Sequence, residues 1–365
     1  MDSHLFSSID LGDISIPNRL VVSPMCQYSV SEHDGIPRDW HLVHLGSRAV
    51  GGAGVVMAEA TAVEPDGRIS PADTGIWSDA HATAWKRITD FIKSQNSVPG
   101  IQLSHAGRKA STSVPWEADG ARPVQPEDGG WEVVAPSDIP WTPYGDSPPL
   151  HVLETDEIED IIDHFATAAS LAADGGFEIA EIHAAHGYLL HEFLSPVSNT
   201  RDDEYGGSFD NRTRIVCEIV SAVRDVWEKP LWLRISASDW LDDRDSWTVD
   251  DSIRLAQKLG PLGVDVIDVS SGGIHLDQDQ PHTGPNNQVP LAEAIRDEAD
   301  VGVCAVGGVK TPEQADALIR NNRADFVAVA RQFLREPYLG LNAARKLNQR
   351  DSVYWPPQYE RSIRE

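Results

Sequence analysis

Two closely spaced histidines and a tyrosine are the residues of this sequence that most clearly suit chemistry. His183 and His186 are separated by two alanines, and Tyr188 follows two residues later. If a helical turn begins at His183, this spacing places both imidazoles on the same side, so that two N–H donors converge on one oxygen atom. Tyr188, at the tip of the same turn, is then a candidate proton donor.

Two other interpretations of this group stay open. In one the histidines bind a metal, and in the other they form only structural hydrogen bonds while the tyrosine merely lines a pocket. The metal is the weakest interpretation, because no nearby carboxylate completes a ligand set and the first strand is not followed by a His-x-His motif. Two polarising donors are the preferred hypothesis.

An arginine and several glycines indicate an anionic ligand. Arg234 lies within an apolar run, where a guanidinium needs an anionic partner, and the N1 and C2 carbonyl edge of a reduced flavin is such a partner. Gly307-Gly308 and Ala330-Arg331 follow two later apolar runs. Backbone amides that approach closely, together with a planar cation, suit a phosphate group, although glycine in loops is common.

These residues follow short apolar runs that alternate with longer amphipathic segments, a pattern typical of a parallel sheet with crossover helices. Eight such units favour closure into an α/β fold of the (β/α)8 TIM-barrel type over an open sheet. The runs span residues 20–23, 54–58, 100–103, 179–182, 231–235, 264–269, 301–306 and 324–330. In such a barrel the carboxyl ends of the strands meet at one face, where catalytic groups lie.

Three of the amphipathic segments have clear helical signals. One helix is predicted to begin at Thr155, with acidic residues in its first turn, and another follows the capping box of Thr311 and Gln314. A third is predicted over residues 211–226, whose apolar side chains recur at helical spacing. Their apolar stripes belong to the core.

Two segments interrupt the alternation. Residues 107–150 follow the third strand and are rich in Pro, Gly and Trp, which predicts an insertion or lid that shapes the pocket. Residues 352–365 form a C-terminal tail whose aromatic side chains need a surface to pack against. Residues 1–365 as a whole are predicted to form a single barrel domain.

The charge balance excludes one class of partner. The 365 residues include 57 acidic and 30 basic ones, a formal net charge of −27, and such a surface repels nucleic acid. The acidic excess favours a solvated, salt-tolerant surface of the halophilic kind over that of an ordinary acidic enzyme. The chain start lacks the pattern of a secretory signal and no apolar run is long enough to span a bilayer, so we expect a cytoplasmic protein without a membrane partner.

The cysteines are Cys26, Cys217 and Cys304, far apart and odd in number. They predict neither a disulfide framework nor a closely spaced metal knuckle. Cys26, just after the first strand, is either a soft neighbour that tunes a bound flavin or an inert buried thiol.

Several motifs closely resemble those of the Old Yellow Enzyme family. They are Ser23-Pro24-Met25-Cys26, Gln102, His183-Ala184-Ala185-His186-Gly187-Tyr188, Arg234 and the long stretch 195–212 with Asn199-Thr200-Arg201-Asp202-Asp203-Glu204-Tyr205-Gly206-Gly207-Ser208. That last stretch is very specific, and the resemblance runs from about residue 5 to the tail. The cysteine at position 26 is typical of the thermophilic-like ene-reductase branch.

The resemblance implies a tightly bound FMN that is reduced by NADPH or NADH, after which an activated alkene such as an enone, enal, nitroalkene or maleimide enters the same site. It implies that His183 and His186 bind the substrate oxygen, that Tyr188 donates the proton, and that Cys26 belongs to the catalytic group. The residues it assigns to FMN are Ser23, Pro24, Met25, Cys26, Ala60, Gln102, Arg234, Gly307, Gly308, Ala330 and Arg331.

The resemblance also implies an assembly. Tyr28 is expected to contact the substrate, and Arg361 is expected to reach into the site of a neighbouring subunit, as in a homodimer or homotetramer. Position 330 is alanine in this chain, whereas many relatives have glycine there, in the loop that binds the phosphate.

Rival classes fit less well. Larger flavoprotein relatives with an iron–sulfur cluster need closely spaced cysteines that this chain lacks. A Schiff-base aldolase needs a lysine at a strand end, for which only Lys109 is near. A flavin-binding protein without turnover, or a flavin-dependent reductase with a different acceptor, stays open as the alternative.

Overall fold

Eight parallel strands close into a barrel in the computed structural model, which describes residues 4–117, 120–143, 145–280 and 283–362. The strands in these residues are β1 (Ile9–Leu11), β2 (Ile14–Ile16), β3 (Leu20–Val22), β4 (Val55–Ala62), β5 (Val98–Ser104), β6 (Val133–Ala135), β7 (Leu150–Val152), β8 (Ile179–Ala184), β9 (Leu231–Ser236), β10 (Val266–Ser270), β11 (Gly302–Ala305) and β12 (Phe326–Val329). The barrel order is β10-β11-β12-β3-β4-β5-β8-β9. The predicted TIM barrel is confirmed, since each predicted run overlaps a barrel strand.

Helices surround the barrel as crossover connections. In the described residues they are α1 (Asp39–Val50), α2 (Asp79–Ser94), α3 (Thr155–Asp174), α4 (Leu189–Leu194), α5 (Phe209–Arg212), α6 (Arg214–Arg224), α7 (Val249–Leu259), α8 (Val289–Glu298), α9 (Pro312–Arg320), α10 (Arg331–Arg335) and α11 (Leu339–Lys346). The helix predicted from Thr155 begins there, and the capping box of Thr311 with Gln314 is present at the start of α9.

One predicted helix is helical over most of its length but is interrupted at one residue. The segment 211–226 was expected to be a single helix, but Thr213 divides it into α5 and α6. Thr213 has right-handed angles, φ −85° and ψ −8°, its N–H donates to the Phe209 carbonyl and its carbonyl accepts from the Cys217 N–H. The interruption is therefore short, and the apolar spacing continues across it. Periodicity alone does not reveal such a break.

The barrel interior is layered because alternate residues of each strand point inward. Its lower layers are apolar and include Val21, Val55, Val98, Ile179, Trp232, Val266, Cys304 and Phe326. The β1–β2 hairpin packs Ile9, Leu11, Ile14 and Ile16 against this group and so covers the amino-terminal end of the barrel. The inward residues nearer the carboxyl end are polar, and they form the candidate site.

The insertion after the third barrel strand lies over this carboxyl end. It contains 3₁₀ turns at Gly107–Lys109 and Pro126–Asp128, and β6 pairs with β7 as a separate two-stranded sheet. Trp131 Nε1 donates to the carbonyl oxygen of Asp66, and the ring of Trp116 stands edge-on to Tyr28, with centroids 5.9 Å apart. Ala118, Asp119 and Tyr144 of the predicted insertion lie outside the described residues.

The C-terminal tail packs on the outside of the barrel. It contains 3₁₀ turns at Arg350–Ser352 and Pro357–Ser362, and the hydroxyl of Tyr359 lies 3.2 Å from that of Tyr338. Arg361 is exposed in the second turn, and residues 363–365 lie outside the described residues. No helix in the described part of the chain has both the length and the apolar character needed to cross a bilayer.

Candidate active site

The two histidines meet at the carboxyl end of β8. Their ring centroids are 5.1 Å apart, and His183 Nε2 lies 3.4 Å from His186 Nδ1. The predicted helical turn is wrong: His183 lies in the strand, and His186 adopts the left-handed conformation with φ +60° just beyond its end. The left-handed turn at His186, rather than a helix, is what brings the two rings together edge to face at a spacing of three.

Side chains from three neighbouring segments hold His186 in this strained conformation. Ser236 Oγ accepts from the His186 backbone N–H at 2.9 Å, and Ser270 Oγ lies 2.7 Å from His186 Nε2. Lys109 Nζ donates to the His186 carbonyl at 2.8 Å and to the Gly273 carbonyl. The strand ends of β9 and β10 and the insertion therefore act together to position one imidazole.

One arrangement of the imidazole protons suits these hydrogen bonds and a shared acceptor. The Ala185 N–H donates to His183 Nδ1 at 3.3 Å, so in the neutral ring the proton lies on Nε2, which faces His186. A Ser270 hydroxyl that donates to His186 Nε2 leaves the second proton on His186 Nδ1. One oxygen atom can then accept from both nitrogens.

Burial keeps the acid–base groups of this site uncharged. It lowers the pKa of His183 and of His186 well below the usual histidine range, and the nearby positive charge of Arg234 acts in the same direction. Tyr188 lies beside His183, with ring centroids 5.2 Å apart, and burial raises the pKa of its phenol well above the usual range. The site thus offers neutral N–H donors next to a phenol that retains its proton.

Cys26 and Tyr28 border the same space. Together with Tyr188 they pack against an apolar cluster formed by Ile69, Ala106, Ala110 and Val133. Burial, followed by the charges of Asp73 and Glu59, raises the pKa of Cys26 well above its usual value, so the sulfur is a neutral thiol.

Arg234 lies inside the barrel on β9, opposite His183 in the strand register. Its Nη1 donates to Ser23 Oγ at 3.0 Å and lies 3.4 Å from Asp268 Oδ2. The anionic partner expected for Arg234 therefore includes a carboxylate of the chain itself, which the sequence analysis missed. Gln102, which also points into the barrel, donates to Glu181 Oε1 at 2.7 Å.

The remaining predicted cofactor residues line the rim. Pro24 and Met25 follow β3, and Ala60 lies in β4 at a register irregularity. Gly307, Gly308, Ala330 and Arg331 line a cavity of about 530 Å³ that Lys310 and Arg335 also border. Gly307 and Gly308 have φ +110° and +67°, and a Cβ at Gly307 would lie 2.8 Å from Gln288 Nε2, so this turn favours glycine.

These residues fit a flavin mononucleotide. The cavity with three cationic side chains suits a phosphate, and the buried Nε of Arg234 has no hydrogen-bond partner among the described residues. A ligand acceptor at this point would satisfy that donor. Within the described residues, no group of three or more His, Cys, Asp or Glu side chains is arranged to hold a metal ion. Arg361 lies in the exposed tail and is not brought to this site within one chain.

Sequence reasoning missed the residues that hold the predicted ones in place. Ser236 and Ser270 occupy the last positions of β9 and β10, and Lys109 lies just past β5. Their position at strand ends was the available signal. Serine and lysine are too common in loops for that signal to identify them, because their role depends on which loops meet across the barrel.

Comparison with known proteins identifies the class. Residues 4–350 match the model of the NADH:flavin oxidoreductase / NADH oxidase family. An NADPH dehydrogenase of Bacillus velezensis is 43% identical over 362 residues, which cover 99% of this chain and 100% of that protein. Morphinone reductase in complex with tetrahydroNAD superposes with a TM-score of 0.75 at 27% identity, covering 95% of this chain and 91% of the other.

A larger protein shares the fold. The chain in a complex of 2-naphthoyl-CoA reductase with 2-naphthoyl-CoA superposes with a TM-score of 0.82 at 22% identity, over 94% of this chain and 52% of that one. This chain therefore spans about half the length of that reductase.

The match over nearly the full length defines a flavin oxidoreductase with a TIM-barrel fold. The chain belongs to the NADH:flavin oxidoreductase / NADH oxidase family, which is the Old Yellow Enzyme family. It is an NAD(P)H-dependent enzyme with FMN as its cofactor, as the sequence motifs predicted.

Proposed function

We propose that this enzyme is an ene-reductase that reduces activated alkenes, such as enones, enals, nitroalkenes and maleimides. The observation that carries the proposal is the pair of neutral imidazoles, whose facing nitrogens lie 3.4 Å apart. This spacing lets one carbonyl or nitro oxygen accept from both. Negative charge develops on that oxygen when the alkene is reduced, so donors fixed in advance stabilise the transition state more than the ground state.

Tyr188 is proposed as the proton donor. It lies beside His183 and keeps its proton because burial raises its pKa. The bound cofactor supplies hydride chemistry, with NAD(P)H as its source, and Tyr188 supplies the proton at the other alkene carbon. Tyr28 and Cys26, in the same apolar surroundings, are proposed to contact the substrate and the ring system.

The cofactor contacts are proposed in two groups. The residues that would hold the ring system lie at the barrel mouth or just inside it; they are Ser23, Pro24, Met25, Cys26, Ala60, Gln102 and Arg234. Gly307, Gly308, Ala330 and Arg331 would hold the phosphate, because they line the cationic cavity. Arg361 is proposed to complete the site of a neighbouring subunit in a homodimer or homotetramer.

Anaerobic mixing tests this function. The holoenzyme is reduced with NADPH and then mixed with 2-cyclohexenone or a nitroalkene, and we expect its flavin absorbance to return together with the saturated product. The double variant His183→Ala, His186→Ala should be reduced by NADPH but reoxidised far more slowly by the enone. His151→Ala is the control, because His151 is partly exposed and pairs with Glu157 outside the site.

A flavin-binding protein without turnover is the alternative outcome. It would contain FMN but would show no enone-dependent reoxidation in the wild type. Titration with a phenol adds a second measurement, since a phenolate held by the two imidazoles over the flavin should give a long-wavelength charge-transfer band that the double variant lacks.

A further inference from the structure

A layer of polar side chains lies inside the barrel, beside and beneath the histidine pair. Strand alternation places Glu181 on the same inward face of β8 as His183, one level lower. In the strand register Gln102 is opposite Glu181, whereas Arg234 is opposite both Asp268 and His183. None of the four residues in this layer is more than 6% exposed. The layer is therefore shielded from water.

The layer contains two carboxyl groups for one guanidinium. Arg234 Nη1 lies 3.4 Å from Asp268 Oδ2, whereas Glu181 Oε1 accepts from the neutral amide of Gln102. The two carboxyl groups influence each other, and burial, then the charge of Asp268, raises the pKa of Glu181. Two carboxylates only accept, so a hydrogen bond between them requires a proton.

Two buried carboxyl oxygens without hydrogen-bond partners within the described ranges also indicate a proton between Glu181 and Asp268. As carboxylates, Glu181 Oε2 and Asp268 Oδ1 are both buried acceptors without a donor among the described residues. Buried polar atoms without partners are rare in proteins, and one proton between the two groups would give both oxygens a partner. Because Arg234 neutralises Asp268, Glu181 is the group that carries the proton.

The other side chains that face the pair do not supply a second positive charge. Cys304 approaches from β11, and burial and the two carboxyl groups raise the pKa of its thiol, so it is neutral. His183 lies one level higher and is neutral because burial lowers its pKa. Burial, then the charge of Asp268, raises the pKa of Glu181 to about 8.

We propose that Glu181 and Asp268 share one proton at neutral pH and that this proton sets the charge felt by a flavin bound beside Arg234. With the proton in place, the charges of Arg234 and Asp268 cancel. When the proton is lost, the layer gains one negative charge, which disfavours the negative charge of a reduced flavin. Glu181 is thus a positioning residue that acts on the flavin through the charge of the layer. The effect on the flavin rests on the proposed function, which places the flavin at Arg234. The shared proton does not depend on that placement.

Infrared spectroscopy tests the shared proton. We expect the C=O stretching band of a protonated carboxyl group in the wild-type protein at neutral pH, absent from Glu181→Gln and fading in the wild type as the pH rises through about 8. Glutamine has nearly the same shape and can donate its amide N–H to Asp268, so the fold should be kept. Other buried acids such as Glu192 are present in both proteins and cancel in the difference spectrum.

Asp268→Asn provides a second variant that retains Glu181. With the like charge removed, the Glu181 band should fade at lower pH than in the wild type. A wild-type protein without a Glu181-dependent band, or a band whose titration is the same in Asp268→Asn, would overturn the shared proton. Because these spectra can be recorded on the protein with FMN removed, they are independent of where the flavin binds and of alkene reduction.

Potentiometry of the holoenzyme tests the effect on the flavin. The reduction potentials of the wild type and Glu181→Gln should coincide near pH 6.5, where both have a neutral side chain at 181, and the wild-type potential should fall below that of the variant once the pH exceeds about 8. Glu192→Gln is the matched control, because burial also raises the pKa of Glu192 to about 8 but it accepts from the backbone of Arg108 outside the layer. It should follow the wild-type curve. Identical curves for the wild type and Glu181→Gln over the whole range would overturn the proposed influence on the flavin.

Discussion

Tyr188 has two properties that a proton donor needs, proximity to the imidazoles and a phenol that stays protonated. We expect Tyr188→Phe to slow reoxidation of the reduced enzyme by 2-cyclohexenone about 100-fold, the lower range for loss of a general acid. Reduction by NADPH should be unchanged because that step needs no proton from the phenol. Stopped-flow measurement of the two half-reactions separates these effects.

A distant tyrosine controls for general loss of packing. Tyr205 donates to Glu218 at 2.9 Å, outside the site, so Tyr205→Phe should leave both half-reactions near wild-type rates. Reoxidation of Tyr188→Phe at the wild-type rate would show that the proton comes from another group or from water.

The lowered pKa values of the two imidazoles also make the protein sensitive to acid. The folded-state pKa values of His183 and His186 lie well below the usual value of about 6.5. Below about pH 6.5 the unfolded chain therefore binds more protons than the folded one, and the free energy of unfolding falls as the pH falls. Each imidazole contributes up to about 1.4 kcal/mol per pH unit in this range.

Replacing both imidazoles with a group that does not titrate should remove that contribution. We expect the double variant His183→Asn, His186→Asn to lose less stability than the wild type between about pH 6.5 and pH 5, as measured by urea unfolding at each pH. Buried acids contribute equally in both proteins. A parallel loss of stability in the two proteins would mean that the imidazoles become charged in the folded state.

The loop after β10 packs closely against the left-handed turn after β8. Gly273 has φ +99°, and a Cβ there would lie 2.6 Å from the His186 backbone. We expect Gly273→Ala to displace His186 and to weaken phenol binding at least tenfold, equivalent to about 1.4 kcal/mol. The measurement is titration of the charge-transfer band.

Gly207 provides a control that separates the effect of backbone strain from the effect of a steric contact. It has φ +77°, but a Cβ there would meet nothing within 4 Å. Gly207→Ala should therefore cost about 1 kcal/mol of stability from its left-handed backbone without affecting phenol binding. Equal phenol affinities in Gly273→Ala and the wild type would show that the two loops are not coupled.

The elements themselves could largely be predicted from sequence, because apolar runs and caps are local signals. The runs that became β8 and β9 and the capping box at Thr311 are examples. The left-handed turn at His186 could not be predicted, since it is stabilised by Ser236, Ser270 and Lys109 from segments far away in sequence. The carboxyl pair beside Arg234 was missed for the same reason, since its members come from strands far apart in sequence.

At the scale of the whole molecule, the net charge of −27 implies self-repulsion that salt should reduce. We expect the melting temperature to rise most steeply between about 0.01 and 0.3 M NaCl, where the screening length shortens from about 30 Å to less than 10 Å. Preferential exclusion of salt from the surface acts mainly at higher concentration. Melting temperatures that are flat below about 0.3 M would show that attractive ion pairs balance the repulsion.

The position of Arg361 permits a test of assembly. It lies in an exposed tail turn, whereas Tyr188 lies at the barrel mouth of its own chain. If Arg361 serves a neighbouring site, Arg361→Ala and Tyr188→Phe inactivate the same site from different subunits. A mixed dimer then contains one site with both defects and one with neither.

Mixing the two variants should therefore restore activity. After co-refolding or co-expression at equal amounts, half of the dimers are mixed, and about one quarter of all sites regain both native residues. We expect enone reduction to recover toward about one quarter of the wild-type value, above the mean of the two variants assayed alone. If Arg361 acted within its own chain, each site in a mixed dimer would keep one defect, and activity would stay at that mean. Tyr205→Phe mixed with Tyr188→Phe provides the baseline, because activity there should follow the simple average of the two.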